Sequence, residues 1–161
     1  MGIMATQLAT LNPQFCVDEL KTSEADAAFP LVRAIAPEVT LDDWRDYVRR
    51  RSMQGGLLGL FGADGEVAGL LSYRLGERLR HGTVLALDDF VTFELSRNAP
   101  GRRALLAAAE DLARHLGCTG IELRIGARGI ADPGSPRLRG WVSLGLDLDS
   151  VVFATDLATA G

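Results

Sequence analysis

The chain has 161 residues, with 17 Lys and Arg against 21 Asp and Glu and a formal net charge of −4. At 47% apolar and 24% charged residues it has the composition of an ordinary soluble globular protein, which excludes disorder of the whole chain, and its length suits one domain. The acidic balance gives no overall grip on polyphosphate, so nucleic acid is not expected as the main partner, and no apolar run approaches the roughly 20 residues of a membrane span.

Met1 to Gln14 is small and polar, without a basic leader or a long apolar centre. It reads as a flexible tail (1–14) ahead of one folded domain (15–161), with the cytoplasm as the expected address. Phe15, Val17 and Leu20 begin a short strand. Ser23 with Asp26 three positions on reads as a helix start, and that helix is expected to run to about Ala36, where Pro37 stops it. Thr40 before Leu41-Asp42-Asp43-Trp44 starts a second helix, with Leu41, Trp44 and Val48 as its apolar stripe. Its basic residues Arg45, Arg49, Arg50 and Arg51 read as a solvated helix end.

Two apolar runs, Leu57 to Phe61 and Val67 to Tyr73, flank Asp64-Gly65, a hairpin signal because glycine accepts the positive φ of tight turns. A third strand follows from Thr83 to about Phe93. Pro100-Gly101 precedes a long helix, Arg102 to Leu116, which Gly117 closes. Ile121 to Ile125 is a strand parallel to the one before that helix. Ser135-Pro136 starts a last helix, and Val151 to Ala154 is expected to form a closing strand. This order describes an α/β sheet with helices packed on its faces. Cys16 and Cys118 are too few for a disulfide framework, and with His81 and His115 isolated no metal site is expected.

The chemistry concentrates between Leu87 and Leu106, where a strand enters a helix through a short turn. Free N–H groups and the positive dipole end at such a helix start make a seat for an anion. Arg97, Arg102 and Arg103 crowd that end. Either an anion such as a phosphate relieves their repulsion, or the long side chains simply reach into water. Upstream, Asp88-Asp89 interrupts an apolar strand. A buried carboxylate there would resist ionisation and accept protons, or the pair would steady a bulge by bonding local backbone N–H groups.

From Phe15 to about Leu157 the sequence resembles the GNAT family of acyl-CoA-dependent N-acetyltransferases. In that family the turn reads Arg/Gln-x-x-Gly-x-Gly/Ala and its amides hold the pyrophosphate of coenzyme A. Arg97 matches the opening residue, and Ala104-Leu105-Leu106 through Leu116-Gly117-Cys118 matches the helix that follows. Pro100 and Arg102 then stand at the glycine positions; sliding by one residue puts Ala99 and Gly101 there and Ser96 at the opening.

The resemblance implies a GNAT-like acyl-CoA N-acyltransferase fold, with a mixed, mostly antiparallel sheet that splays where the co-substrate acetyl-CoA lies. It implies donor-binding roles for Val91, Thr92, Phe93, Arg97, Asn98, Ala99, Gly101, Arg102 and Arg103, and base roles for Asp89 and Glu94. The segment Arg139 to Leu146 resembles the family's Phe-Tyr-x-x-x-Gly-Phe, with Trp141 where the thiolate-protonating Tyr stands. Indole donates a hydrogen bond but is no practical acid, so Trp141 reads as packing; Tyr73 or a water could serve instead. The implied reaction is direct acetyl transfer to a primary amine of a small molecule or peptide, with no metal, by an enzyme expected to be a homodimer. The other reading is a noncatalytic acyl-CoA-binding or protein-interaction module on the same fold.

Overall fold

Five strands, β1 (Phe15–Glu19), β2 (Gly55–Gly62), β3 (Val67–Arg78), β4 (Gly82–Thr92) and β5 (Gly120–Leu123), pair in chain order. The first three pairings are antiparallel and the β4–β5 pairing is parallel, so the sheet is mixed. The helices are α1 (Phe29–Ile35), α2 (Leu41–Gln54), α3 (Pro100–His115) and α4 (Pro136–Val142). This computed structural model describes residues 15–94, 98–128, 130 and 132–155. The chain divides into two compact units, Met1–Ile125 and Gly126–Gly161, and the first holds the whole sheet.

Local chemistry accounts for most element boundaries. Thr40 caps α2 as expected: its hydroxyl accepts from the Asp43 N–H at 3.2 Å while the Asp43 carboxylate accepts from the Thr40 N–H at 3.0 Å. The helix expected from Ser23 divides instead into a 3-10 helix, Thr22–Ala28, and α1. Pro30 explains the break, because it has no N–H to bond back into the preceding turn. Asp26 is not a cap either; its carboxylate takes the Arg45 guanidinium at 2.6 Å. The β2–β3 hairpin turns at Gly65, with φ of 79°, and α3 stops at Gly117, with φ of 73°, where the Cys118 N–H returns to the Ala113 carbonyl at 2.9 Å.

Both sheet faces are covered within the first unit. On one, Leu57, Leu70 and Val91 pack with Leu31 and Val32 of α1 and Trp44 and Val48 of α2. The buried Trp44 indole donates to the Ala25 carbonyl at 2.7 Å, so its large apolar surface is buried without orphaning its polar atom. On the other face lies α3, whose Gly101 approaches Leu60 so closely that a Cβ there would stand 2.6 Å from Leu60 Cδ2. Leu57 and Leu60 differ in parity along β2, which puts them on opposite faces. Leu105 and Ala109 of α3 are buried as their spacing predicts, while Leu116 at the helix end is exposed.

In the second unit Ser135 caps α4, accepting from the Leu138 N–H at 3.0 Å, with Pro136 at the first helical position. The expected closing strand does not form: Val151 to Ala154 has no regular structure, and Val151, Val152 and Phe153 are exposed. An apolar run becomes a strand only when a neighbouring edge satisfies its backbone, and no strand among the described residues pairs with this one. No helix among the described residues is long and apolar enough to cross a membrane.

Candidate functional site

The parallel pairing ends at Leu87 opposite Leu123, with a last bond from the Arg124 N–H to the Leu87 carbonyl at 2.9 Å. The β3–β4 register shifts at the next residue: Tyr73 faces Leu87 but Ser72 faces Asp89, leaving Asp88 as an extra residue. A strand with one residue too many turns two consecutive side chains to the same side. Asp88 and Asp89 accordingly both reach partners from α2 and from the Ser72–Arg74 side of β3.

Neither carboxylate is unpaired. Asp88 Oδ2 takes Arg51 Nη1 at 3.1 Å and Arg74 Nε at 2.8 Å, with the side chains of Asp88 and Arg51 only 13% and 12% exposed. Asp89 Oδ2 accepts from the Ser72 hydroxyl at 2.7 Å and from the Tyr47 hydroxyl. Ser72 in turn accepts the Asp89 N–H at 3.1 Å, and Tyr47 accepts Arg51 Nε at 3.2 Å. The Tyr47 and Ser72 oxygens, 3.0 Å apart, thus each give their single proton to the carboxylate. Burial first, and then the bond to Asp89, pushes the Tyr47 phenol above its ordinary value. Its ring stacks on Trp44 with centroids 5.8 Å apart and lies under the Arg51 guanidinium at 5.2 Å.

Asp89 Oδ1 carries no hydrogen bond from a described residue, and no fully buried side-chain oxygen or nitrogen among them lacks a partner, so Oδ1 is not completely enclosed. One oxygen is pinned and the other has no described partner. The backbone N–H of Asp89 bonds the Ser72 side chain, so the carboxylates are held by side chains from other elements rather than by local amides. Arg51, expected to be solvated, is instead drawn into this cluster.

The second part of the expected site is the start of α3. There Glu94 Oε1 accepts the Gly101 N–H at 2.8 Å and Oε2 accepts the Arg102 N–H at 3.2 Å. Ala99 adopts the left-handed conformation, with φ of 43°, and Arg103 Nε donates to the Asn98 carbonyl at 2.9 Å. Thr92 pairs with Gly69, and the exposed Phe93 donates its N–H to the Ala68 carbonyl at 3.0 Å. Val91 is buried in the cluster under α1 and α2. Arg97 lies outside the described residues.

The structure thus separates the two base candidates: Asp89 belongs to the bulge cluster and Glu94 to the helix start. The sequence reading missed Tyr47, Ser72 and Arg74 as members of the cluster. Tyr47 follows Trp44 by three residues on the inward stripe of α2, and Ser72 is a lone hydroxyl in an apolar run; those were the available signals. Tyr73 faces away from the cluster, with its hydroxyl against Gly56, and burial followed by the charge of Glu19 raises its phenol above the ordinary value.

No protein-family model matches the chain. A stretch of 88 residues, 52% of the chain, is 33% identical to an aspartate–tRNA(Asp/Asn) ligase of Mycobacterium avium, and the match spans 15% of that ligase's length. Among solved structures, an aminoglycoside N-acetyltransferase in complex with CoA superposes with a TM-score of 0.73 at 13% identity, covering 92% of this chain and all (100%) of the other. A Trypanosoma brucei acetyltransferase gives 0.68 at 18% identity, covering 89% of this chain and 99% of the other. A GNAT family acetyltransferase of Staphylococcus aureus gives 0.68 at 16% identity with the same coverage, 89% and 99%. At these identities the likeness establishes architecture: the chain has the GNAT acyl-CoA N-acyltransferase fold.

Proposed function

We propose that the chain is an N-acyltransferase that moves an acetyl group from a thioester of the coenzyme A class to a primary amine of a small molecule or peptide. The reading is supported above all by Asp89, set where β4 leaves β5, with Oδ2 fixed by Tyr47 and Ser72 and Oδ1 without a hydrogen-bond partner among the described residues. The amine nitrogen attacks the thioester carbonyl carbon, the C–N bond forms, and the C–S bond breaks. Asp89 Oδ1 takes the proton lost by the amine, directly or through a water, and the leaving thiolate is protonated from solvent. Tyr47 and Ser72 hold the carboxylate in place, and their donated protons steady its charge. No nucleophilic side chain is needed. The likeness to structures of acetyltransferases agrees with this chemistry.

The test is release of free thiol when the protein meets acetyl-CoA and a panel of amines. Turnover above background supports the reading, and Asp89→Asn should lower it by about 10²–10⁴. No thiol release with any amine refutes it. One observation favours a second reading, a noncatalytic acyl-thioester-binding or protein-interaction module: the Glu94 carboxylate on the α3 amides. A thermal shift with acetyl-CoA in the absence of any turnover would select that reading.

A further inference from the structure

The residues at the start of α3 do not fit a backbone-held diphosphate. Its first turn has few amides to offer, and each is already used. Pro100 has none; those of Gly101 and Arg102 go to Glu94 at 2.8 and 3.2 Å; that of Arg103 closes the first helical bond to the Ala99 carbonyl at 3.0 Å. The gap that Gly101 leaves is filled as well, since a Cβ there would stand 3.5 and 3.6 Å from the two Glu94 oxygens. Glu94 lies only two residues beyond the end of β4, so its carboxylate is tethered beside the helix and competes with any dissolved anion at a high local concentration. A second anion arriving there would find the backbone seat occupied by a carboxylate, whose charge works against the attraction of the Arg102 and Arg103 side chains at the same end.

We infer that this chain grips its acyl donor by the neutral pantetheine thioester and gains nothing from a diphosphate on α3, because Glu94 is a built-in substitute for that anion. The inference rests on the transferase reading above and narrows its donor class to acyl-pantetheine thioesters, of which acyl-CoA is one member without special advantage.

The experiment measures dissociation constants of acetyl-CoA and S-acetylpantetheine by calorimetry, on the full chain and on its Glu94→Ala and Glu94→Gln variants. The wild type should bind the two thioesters within about tenfold of each other. Glu94→Ala, by freeing two amides and removing a charge, should tighten acetyl-CoA by about tenfold and leave S-acetylpantetheine unchanged. Glu94→Gln, which keeps the side-chain shape, should shift in the same direction and serves if the alanine variant loses its fold. A wild-type preference for acetyl-CoA above about tenfold overturns the inference while leaving the transferase reading intact, and so does a Glu94 substitution that fails to raise that preference. If neither thioester binds or is consumed, the transferase reading itself falls, and the donor class with it.

Discussion

Replacing Tyr47 with Phe removes one oxygen from the bulge cluster and little else, because the ring keeps its stack on Trp44 and its place beneath Arg51. The lost hydroxyl donates to the Asp89 carboxylate and accepts from Arg51 Nε at 3.2 Å. Both bonds have an ionised partner, the Asp89 carboxylate in one and the Arg51 guanidinium in the other, and a hydrogen bond to a charged group contributes about 1.5–3 kcal/mol. Tyr47 is half-buried, so water recovers part of both. The expected net loss is about 2 kcal/mol. Urea unfolding followed by the fluorescence of the two buried tryptophans, Trp44 and Trp141, measures it, provided the denaturant slope is unchanged. With Asp89→Asn as the second arm of a double-mutant cycle, the coupling should be about 1–2 kcal/mol. A Tyr47→Phe cost below about 0.5 kcal/mol, or a coupling near zero, would show that the cluster does not hold Asp89 and would remove the basis for its role as a positioned base.

Ala99 holds a left-handed conformation that costs a Cβ-bearing residue about 1 kcal/mol, so Ala99→Gly should raise stability by a few tenths to about 1 kcal/mol after the entropy of glycine is subtracted, as read from the urea midpoint. Gly55→Ala should do the reverse and cost more than about 3 kcal/mol, because its Cβ would stand 2.0 Å from the Tyr73 carbonyl oxygen, a backbone atom that cannot step aside; normal expression and melting would contradict this. The only two tyrosines are Tyr47 and Tyr73, and both phenols are raised by burial, so ultraviolet titration of the folded protein should show no phenolate signal until above pH 10. The stability that these raised groups contribute is complete below their unfolded value and is lost as the pH climbs through the folded one, so unfolding should set in at alkaline pH. Tyr47→Phe should halve the phenolate amplitude; a titration step at or below pH 10 in the native protein would refute the burial argument.

Much of the fold was legible because it is written locally. The Thr40–Asp43 cap, the Asp64-Gly65 turn, Gly117 and Ser135-Pro136 each act within a few residues, and each stands where the sequence puts it. Pro30 was equally visible, and overlooking its missing N–H merged two short helices into one. Val151 to Ala154 has strand composition, but pairing depends on an edge elsewhere, which no local pattern encodes. The candidate site divides in the same way. Asp88-Asp89 stood out as a polar interruption, yet its partners arrive from 14 to 42 positions away, a separation that spacing rules do not reach. Glu94 was noticed for its charge; its occupation of the helix start depends on how the turn folds back, seven and eight residues on.

The register shift at Asp88 has a bearing on how the strand accommodates an added residue. On either side of it the alternation resumes unchanged: Leu87 stays opposite Tyr73, and Asp89 and Val91 stay opposite Ser72 and Leu70. One extra residue thus adds an ionic group to the β-ladder without moving any core side chain to the wrong face, and removing it would leave Arg51, only 12% exposed, and Arg74 without their shared carboxylate. The proposed base, Asp89, keeps its place opposite Ser72 through that loss, so the arginine pair and the proton acceptor are separable by one residue.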